Sequence, residues 1–225
     1  MLSLAERIRS VAAGDGLWVP PELQPAATVV LVRGGDVLLL RRASTMRFAA
    51  NMHVFPGGRV ESVDMQHTDP RLTDPFVACA VRETMEEVGI ALDPPLRFID
   101  HWVTPELEVR RYDVRFYLAH VEEGGALMTT EADDLVWLDP NRALEMNDAG
   151  SLPMLRPTIE VLRALRDDSF PAADNVIPRL PRPRLRDEEI RWDVLHAETG
   201  EVLMHDVPGP RRLESDGAML PEVDR

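Results

Sequence analysis

Three glutamates lie within five residues of one another, in the segment Arg82-Glu83-Thr84-Met85-Glu86-Glu87-Val88-Gly89-Ile90. On a helix, residues three and four apart share one face, so Glu83, Glu86 and Glu87 would present their carboxylates to one patch of space. Such a cluster repels itself unless a cation neutralises it, and carboxylate oxygens are the ligands that Mg²⁺ or Mn²⁺ prefer. The segment therefore predicts a divalent-metal site on a helix.

Two further elements are predicted to converge on this patch. Gly57 and Gly58 have no Cβ, so their backbone can approach a metal or a phosphate closely. Arg82 can fix the orientation of one carboxylate by a bidentate contact. The other interpretation, a solvated acidic helix face, is disfavoured because such faces usually carry interleaved opposite charges.

The helix that carries the glutamates has clear start and stop signals. Asp74-Pro75 predicts an N-cap and a first-turn proline, and Gly89 predicts the end of the helix. Apolar residues at helical spacing are expected to form the face that packs against a sheet; these are Val77, Val81, Met85 and Val88.

Alternating strands and helices predict a layered α/β domain. A hairpin is predicted over 27–33 and 37–42 around Gly34-Gly35-Asp36, and a short extended piece at 53–55. The other expected strands are 97–103, 111–121 and 134–138, and the other expected helices are 4–12, 141–146 and 155–166.

The glutamate segment resembles the signature helix of the Nudix hydrolases. That motif is Gly, five residues, Glu, seven residues, then Arg-Glu-apolar-any-Glu-Glu-any-Gly-apolar. Counted from Gly58, the first Glu of the motif falls on Asp64, and 17 residues separate Asp64 from Arg82, an insertion of ten. Thr84 occupies the apolar position, where its hydroxyl is tolerable if it bonds back to the preceding helical turn.

The resemblance implies a Nudix-type α/β/α sandwich with a mixed sheet, and hydrolysis of a nucleoside diphosphate linked to another group. It implies that Glu83, Glu86 and Glu87 hold Mg²⁺ or Mn²⁺ together with the Gly57 carbonyl, and that Arg82 orients them. The general base would be a signature glutamate or one from a later loop. For the later position Glu131 is chosen over Glu122 and Glu123, which are expected at a hairpin tip.

An upstream segment is similar to the extended signature of the coenzyme A diphosphatase branch. It runs Leu38-Leu39-Leu40-Arg41-Arg42-Ala43, then Arg47, Asn51 and Phe55-Pro56-Gly57-Gly58 at the spacing of the branch, with Leu40 in place of Thr and Asn51 in place of Gly. The long loop before the helix and the segment 110–117 also look like the peroxisomal-type acyl-CoA diphosphatases. The resemblance implies cleavage of coenzyme A or an acyl-CoA to 4′-phosphopantetheine and adenosine 3′,5′-bisphosphate.

Such a substrate needs cationic side chains for its 3′-phosphate as well as for the diphosphate. The substrate-binding candidates are Arg42, Arg47, Gly58 and, less strongly, Arg111. ADP-ribose, NADH and other nucleoside diphosphate derivatives are the alternative substrates. A hypothesis of another class is a Nudix-like nucleotide sensor whose tail, with arginines between 179 and 186, binds DNA or a partner. His53, His67, His101 and His120 have no metal-ligand spacing between them and are assigned no role.

Composition excludes several other classes of protein. The net charge is −14, and every one of the 25 basic residues is arginine. The missing lysines exclude Schiff-base chemistry, a pyridoxal-phosphate anchor and a Gly-Lys-Ser/Thr phosphate loop. A strongly acidic chain is a poor binder of nucleic acid. The longest apolar runs are far shorter than the roughly 18 residues of a membrane span, so no membrane partner is expected.

The chain is expected to contain one central domain with two extensions. The predicted boundaries are an N-terminal segment 1–22, a Nudix hydrolase domain 23–168 and a proline-rich C-terminal extension 169–225. A hairpin is expected within 190–205, either covering the edge of the sheet or exchanging with a second subunit in a homodimer. The single cysteine, Cys79, and the absence of a signal-peptide core favour a cytoplasmic location.

Overall fold

The fold is that of a computed structural model, which describes residues 2–44, 49–66, 69–122, 132–186 and 189–207. The side chains of Ala132 and Asp133 lie outside this description. The described part contains four α-helices: α1 (Leu4–Ala13), α2 (Pro75–Val88), α3 (Pro140–Asp148) and α4 (Arg156–Arg166). Short 3-10 turns lie at Ser62–Met65, Pro70–Leu72 and Ala173–Asn175.

Among the described residues, ten strands form one mixed sheet. They are β1 (Leu23–Arg33), β2 (Asp36–Arg42), β3 (His53–Val54), β4 (Gly57–Arg59), β5 (Arg97–Val103), β6 (Arg111–His120), β7 (Ala132–Leu138), β8 (Pro178–Arg186), β9 (Glu189–His196) and β10 (Val202–Met204). Their order is β10-β9-β8-β5-β6-β1-β2-β3, with β4 paired to β1 and β7 paired to β2.

Strand β1 is the centre of the sheet and sets the position of the glycine pair. It runs parallel to β6 from Leu23 to Val32 and antiparallel to β2 at the predicted hairpin. Strand β4 pairs with the edge of β1 that faces away from β6, with Ala27 opposite Gly58 and Thr28 opposite Gly57. The two glycines are therefore held by a central strand.

The two faces of the sheet carry two separate apolar clusters. Val29 and Leu31 belong to the cluster beneath α2, whereas Val30 and Val32 belong to the cluster that includes residues of α1, α3 and α4. Because neighbouring strand residues point to opposite faces, α2 lies on one side of the sheet and the other helices on the opposite side. The predicted α/β/α sandwich is confirmed.

The predicted bounds of α2 are confirmed, but part of its predicted apolar face is wrong. The buried residues of α2 are Ala78, Cys79, Ala80, Thr84 and Val88, whereas Met85 is 47% exposed and Val81 is only partly buried. Thr84 is completely buried. Its hydroxyl is tolerated there because Oγ1 donates to the Ala80 carbonyl oxygen of the preceding helical turn at 2.7 Å. Small residues on this face let α2 lie close to β1.

The arginine-rich part of the tail forms a strand that was not predicted. Strand β8 pairs with β5 at Pro178 and Arg179 and with β9 along its length. Pro181 and Pro183 lie beyond the part paired with β5, at an edge where a missing N–H donor costs nothing. The predicted tail hairpin is present as β9 and β10, and it extends the chain's own sheet.

No helix in the described part of the chain is long and apolar enough to span a membrane. The boundaries proposed at residues 22 and 168 remain predictions.

Candidate active site

The ends of α2 fix the position of its glutamates. Asp74 caps the first turn, where its Oδ1 accepts from the Phe76 N–H at 2.9 Å. Gly89 ends the helix in the left-handed conformation, with φ of 67°. Residues with a side chain rarely adopt this backbone conformation, so the glycine allows the helix to end here. Glu83, Glu86 and Glu87 consequently lie in the last turns of a rigid helix.

Arg82 joins the acidic groups on one guanidinium. Its Nε and Nη2 each lie 2.9 Å from an oxygen of Asp64, and its Nη1 lies 2.8 Å from Glu83 and 3.0 Å from Glu86. Nη2 also donates to the Arg59 carbonyl oxygen at 3.0 Å. The hydrogen bonds that Arg82 donates to Asp64, above all, raise the pKa of Arg82, so the guanidinium stays cationic.

Arg82 makes its bidentate contact with Asp64, a residue outside the predicted site, and not with one of the glutamates, which share its Nη1. Asp64 is almost completely buried and belongs to the 3-10 turn Ser62–Met65, where its carboxylate accepts from the Glu61 N–H at 2.8 Å. Its distance from Gly58 in the motif was the signal available in the sequence. The contact attaches this turn to α2.

Glu83 lies against the backbone of the glycine pair. A Cβ on Gly58 would lie 2.2 Å from Glu83 Oε1, so only glycine leaves room for the carboxylate. Burial raises the pKa of Glu83, while the Arg82 guanidinium opposes this effect. Cys79 lies beneath the contact, with its Sγ 3.5 Å from the Gly58 carbonyl oxygen. Burial, followed by the nearby Asp64 and Glu83 charges, raises the pKa of this thiol to about 12.

Glu87 contacts the other glycine. Its Oε2 accepts from the Gly57 N–H at 2.8 Å. A Cβ on Gly57 would lie 2.3 Å from the Ala27 carbonyl oxygen, so β4 can approach β1 only with glycine at this position. The structure thus brings all three predicted glutamates, Arg82 and both glycines into one cluster.

The chemistry of this cluster fits a divalent cation. Three carboxylates provide hard oxygen donors, and the glycines let two of them pack directly against the backbone. Glu86 is the most exposed of the three, with 60% of its side chain accessible, so a ligand can reach it. Within the described ranges, no three His, Cys, Asp or Glu side chains are already grouped as metal ligands. Arg82 holds Glu83 and Glu86 instead, and the Gly57 N–H holds Glu87.

The predicted substrate-binding arginines are less closely grouped than the glutamates. Arg42 ends β2, and its backbone pairs with Met52 and Asn51 of the segment that returns to β3. Arg111 pairs in register with Leu23. Leu23 lies four residues before Ala27, the β1 residue opposite Gly58. The Arg111 guanidinium donates to the carbonyl oxygens of Thr104 and Pro21 at 3.2 and 3.4 Å.

Arg111 is therefore engaged with backbone at the start of β6, and the structure does not bring it to the glutamates. Arg47 and Glu131, the remaining predicted site residues, lie outside the described residues. Their roles, like those of Arg42 and Arg111, stay predictions.

Comparison with known proteins matches the central part of the chain to one family. The model of the NUDIX domain matches residues 22–157, which is more than half of the chain and includes the whole cluster. A relative in Caenorhabditis elegans, named putative nudix hydrolase 7, is 28% identical over 167 residues. The match covers 57% of this chain and 55% of that protein, so the chain spans about half the length of this relative.

Solved structures share the same fold. A NUDIX hydrolase from Alicyclobacillus acidocaldarius superposes with a TM-score of 0.55 and 28% identity, covering 64% of this chain and 91% of that one. A MutT protein from Bacillus halodurans superposes with a TM-score of 0.52 and 20% identity, covering 76% and 97%. The family model, the shared fold and the Arg82-centred cluster of glutamates together show that this chain belongs to the NUDIX domain family.

Proposed function

We propose that this chain is a divalent-metal-dependent hydrolase that cleaves the diphosphate bond of a nucleoside diphosphate derivative, with coenzyme A or an acyl-CoA as its substrate. The observation that carries the proposal is the cluster of three helix glutamates against two glycines, because it groups the carboxylate ligands that a hard cation prefers and packs two of them directly against the glycine backbone. Family membership supports the same activity.

Each residue of the cluster has a distinct role in this proposal. Glu83, Glu86 and Glu87 would hold Mg²⁺ or Mn²⁺ with the Gly57 carbonyl oxygen. A bound divalent cation neutralises the diphosphate and lowers the pKa of a coordinated water. Arg82 is a positioning residue, since its contacts with Glu83 and Glu86 hold two carboxylates in place.

The general base remains open within the proposal. A glutamate of α2 or Glu131 would accept the proton of the attacking water. The cluster also packs the Glu83 carboxylate against Gly58, so the part of Gly58 in the proposal is to leave room for this carboxylate.

Support for coenzyme A comes from the spacing of Arg42, Arg47 and Phe55-Pro56-Gly57-Gly58, which is that of the coenzyme A diphosphatase signature. ADP-ribose and NADH are the competing substrates. The products from coenzyme A would be 4′-phosphopantetheine and adenosine 3′,5′-bisphosphate. A homodimer and a cytoplasmic location remain predictions from the sequence, to be tested by light scattering and cell fractionation.

The tail of the chain gives little support to the sensor hypothesis. Arg182 lies 3.1 Å from Glu106, and Arg184 lies 2.7 Å from the buried Asp193. Arg179 lies 3.4 Å from the buried Asp100. These arginines contact acidic groups of their own chain, which reduces the charge available for an anionic partner.

A substrate panel tests the proposal. Coenzyme A, acetyl-CoA, ADP-ribose and NADH are each incubated with Mg²⁺ and with Mn²⁺, and the products are separated by chromatography. We expect kcat/KM for a coenzyme A substrate to exceed that for ADP-ribose by at least about tenfold, because a site with a partner for the 3′-phosphate leaves that partner unpaired with ADP-ribose. Faster turnover of ADP-ribose would exclude coenzyme A as the preferred substrate.

A pair of glutamate variants tests the cluster in the same assay. Glu87→Gln is expected to lower kcat by at least about 100-fold, because it removes a charged ligand of the cation. Glu145→Gln, on the exposed face of α3, is the matched control and is expected to retain activity. Equal activity of the two variants would exclude a catalytic role for Glu87.

A further inference from the structure

Three polar residues lie in a row across the sheet on the face opposite α2. Arg41 in β2 pairs with His53 in β3 on one side and with Asp134 in β7 on the other. Directly opposed residues of antiparallel strands present neighbouring side chains on one face. Strand alternation places Arg41 on the same face as Val37 and Leu39, which belong to the cluster shared with α3 and α4.

Two nitrogens of this row are buried without a partner. Among the described residues, neither Arg41 Nε nor His53 Nδ1 has a hydrogen-bond partner. His53 is only 6% exposed, and its position is fixed because its backbone N–H donates to the Pro153 carbonyl oxygen at 2.8 Å. Buried polar groups are normally paired, so two neighbouring exceptions point to a missing ligand.

The carboxylate nearest along the row does not neutralise Arg41. Asp134 is its register partner, yet the described part of the chain contains no ion pair between them. Asp134 is exposed, and its Oδ1 accepts instead from the Leu135 N–H at 2.9 Å. Arg41 thus carries a positive charge and an unpaired Nε–H beside its register partner His53.

An anionic oxygen fits this pair better than a neutral one. An oxygen between Arg41 and His53 can accept from both nitrogens, and a negative charge also compensates the guanidinium. A neutral carbonyl would satisfy the donors and leave the partly buried charge uncompensated. Burial, followed by the Arg41 charge, lowers the pKa of His53, and a bound anion opposes both effects.

We propose that Arg41 and His53 form a subsite for a phosphate monoester of the substrate, which in coenzyme A is the 3′-phosphate. This inference rests on the proposed function. His53 is four residues from Gly57, so its backbone lies no more than about 14 Å along the chain from a glycine that Glu87 contacts. Arg42, the expected phosphate ligand, follows Arg41 in β2 and is placed by strand alternation on the other face.

Nucleotide binding without catalysis tests the subsite. Calorimetry in metal-free buffer compares adenosine 3′,5′-bisphosphate with adenosine 5′-monophosphate, which differ only in the 3′-phosphate. Arg41→Gln is expected to weaken binding of the bisphosphate by about tenfold or more, because it removes charge-assisted hydrogen bonds, and to leave binding of the monophosphate unchanged. Arg142→Gln, an exposed arginine of α3, is the matched control and is expected to bind both nucleotides as the wild type does.

Several outcomes would overturn the assignment. Affinities that Arg41→Gln leaves unchanged, or lowers equally for both nucleotides, exclude a 3′-phosphate subsite at this residue. A selective loss in Arg42→Gln instead of Arg41→Gln transfers the role to the opposite face. Selective loss in Arg41→Gln together with failure to hydrolyse coenzyme A would retain the subsite and reject the proposed substrate.

A second measurement uses the wild-type chain and does not depend on the folding of a variant. Inorganic phosphate is added in metal-free buffer, and the imidazole resonance of His53 is followed by NMR after assignment with His53→Gln. We expect a saturable shift of this resonance, larger than that of the exposed His205. A shift no larger than that of His205 would overturn the proposal. A shift with phosphate, but no preference for the bisphosphate in the calorimetry, would show binding of free phosphate only and would overturn the assignment to a phosphate monoester.

Discussion

Arg82 organises the candidate site because its guanidinium donates in several directions at once. It binds Asp64 with two nitrogens and uses the third for Glu83 and Glu86. A lysine has a single ammonium group and cannot match the planar, bidentate contact with Asp64. The same fork that stabilises the fold therefore also fixes the carboxylates of the site.

Gly58→Ala tests the close approach of backbone and carboxylate. The added Cβ would lie 2.2 Å from Glu83 Oε1, so the Glu83 side chain must move away. We expect kcat/KM to fall by at least about tenfold, since misplacement of a catalytic group by a fraction of an ångström is costly. Because the obstructing atoms are at the end of a side chain, the melting temperature should change little.

Steady-state kinetics and thermal unfolding measure the two effects of Gly58→Ala. Gly200→Asn is the control, because Gly200 lies in the turn between β9 and β10, a Cβ there meets no atom within 4 Å, and asparagine tolerates the left-handed φ of +73°. Activity of Gly58→Ala equal to that of the control would show that Glu83 does not need its observed position.

The contact between α2 and the 3-10 turn Ser62–Met65 keeps the site independent of the inserted loop. Asp64 lies before the insertion and Arg82 lies after it, and their ion pair joins the two ends. The extra residues can therefore leave the cluster unchanged while they alter the surface around it. The contact between Asp64 and Arg82 gives a physical reason why the insertion can spare the geometry of the carboxylates.

Asp64→Asn tests this connection. Loss of one partner leaves the Arg82 charge partly buried and uncompensated, so we expect the free energy of unfolding to fall by about 3 kcal/mol. Chemical denaturation provides the measurement. Asp93→Asn, which removes an exposed carboxylate beside Arg71, is the control and should change stability by less than about 0.5 kcal/mol. Equal stability of the two variants would exclude a structural role for the Asp64 pair.

The whole molecule is built on a sheet that the tail completes. Strands β8, β9 and β10 extend the sheet from β5, and Trp192, Val194 and Val207 belong to the core cluster shared with α1, α3 and α4. The buried Asp100 of β5 lies 3.4 Å from Arg179 of β8. The extension therefore shares its core with the domain expected to end at residue 168.

A chain truncated after residue 168 tests that predicted boundary. It would expose the edge of β5 and lose the core contacts of Trp192, so we expect a loss of at least about 3 kcal/mol in stability and self-association through the exposed edge. Thermal unfolding and size-exclusion chromatography measure these effects. A monomeric truncated chain with the melting temperature of the full chain would support residue 168 as an independent domain boundary.

Local features of the fold were predictable because they depend on residues close in sequence. Asp74, Pro75 and Gly89 predicted both ends of α2, and the Gly34-Gly35-Asp36 turn predicted the hairpin of β1 and β2. The packed face of α2 was predicted less well, since periodicity alone did not reveal that a hydrogen-bonded Thr84 would replace Met85 in the core. Strand β8 was missed because its prolines argue against a strand unless one edge is known to be unpaired.

The sequence by itself determined the chemistry of the carboxylate cluster, because one helical turn suffices to bring Glu83, Glu86 and Glu87 together. Only the tertiary structure decided which distant groups face one another. Asp64 reaches Arg82 through a folded turn, and Arg41 reaches His53 through strand register. Register and turn packing depend on the burial of the whole sheet, and a shift of one residue along a strand would turn each side chain to the opposite face.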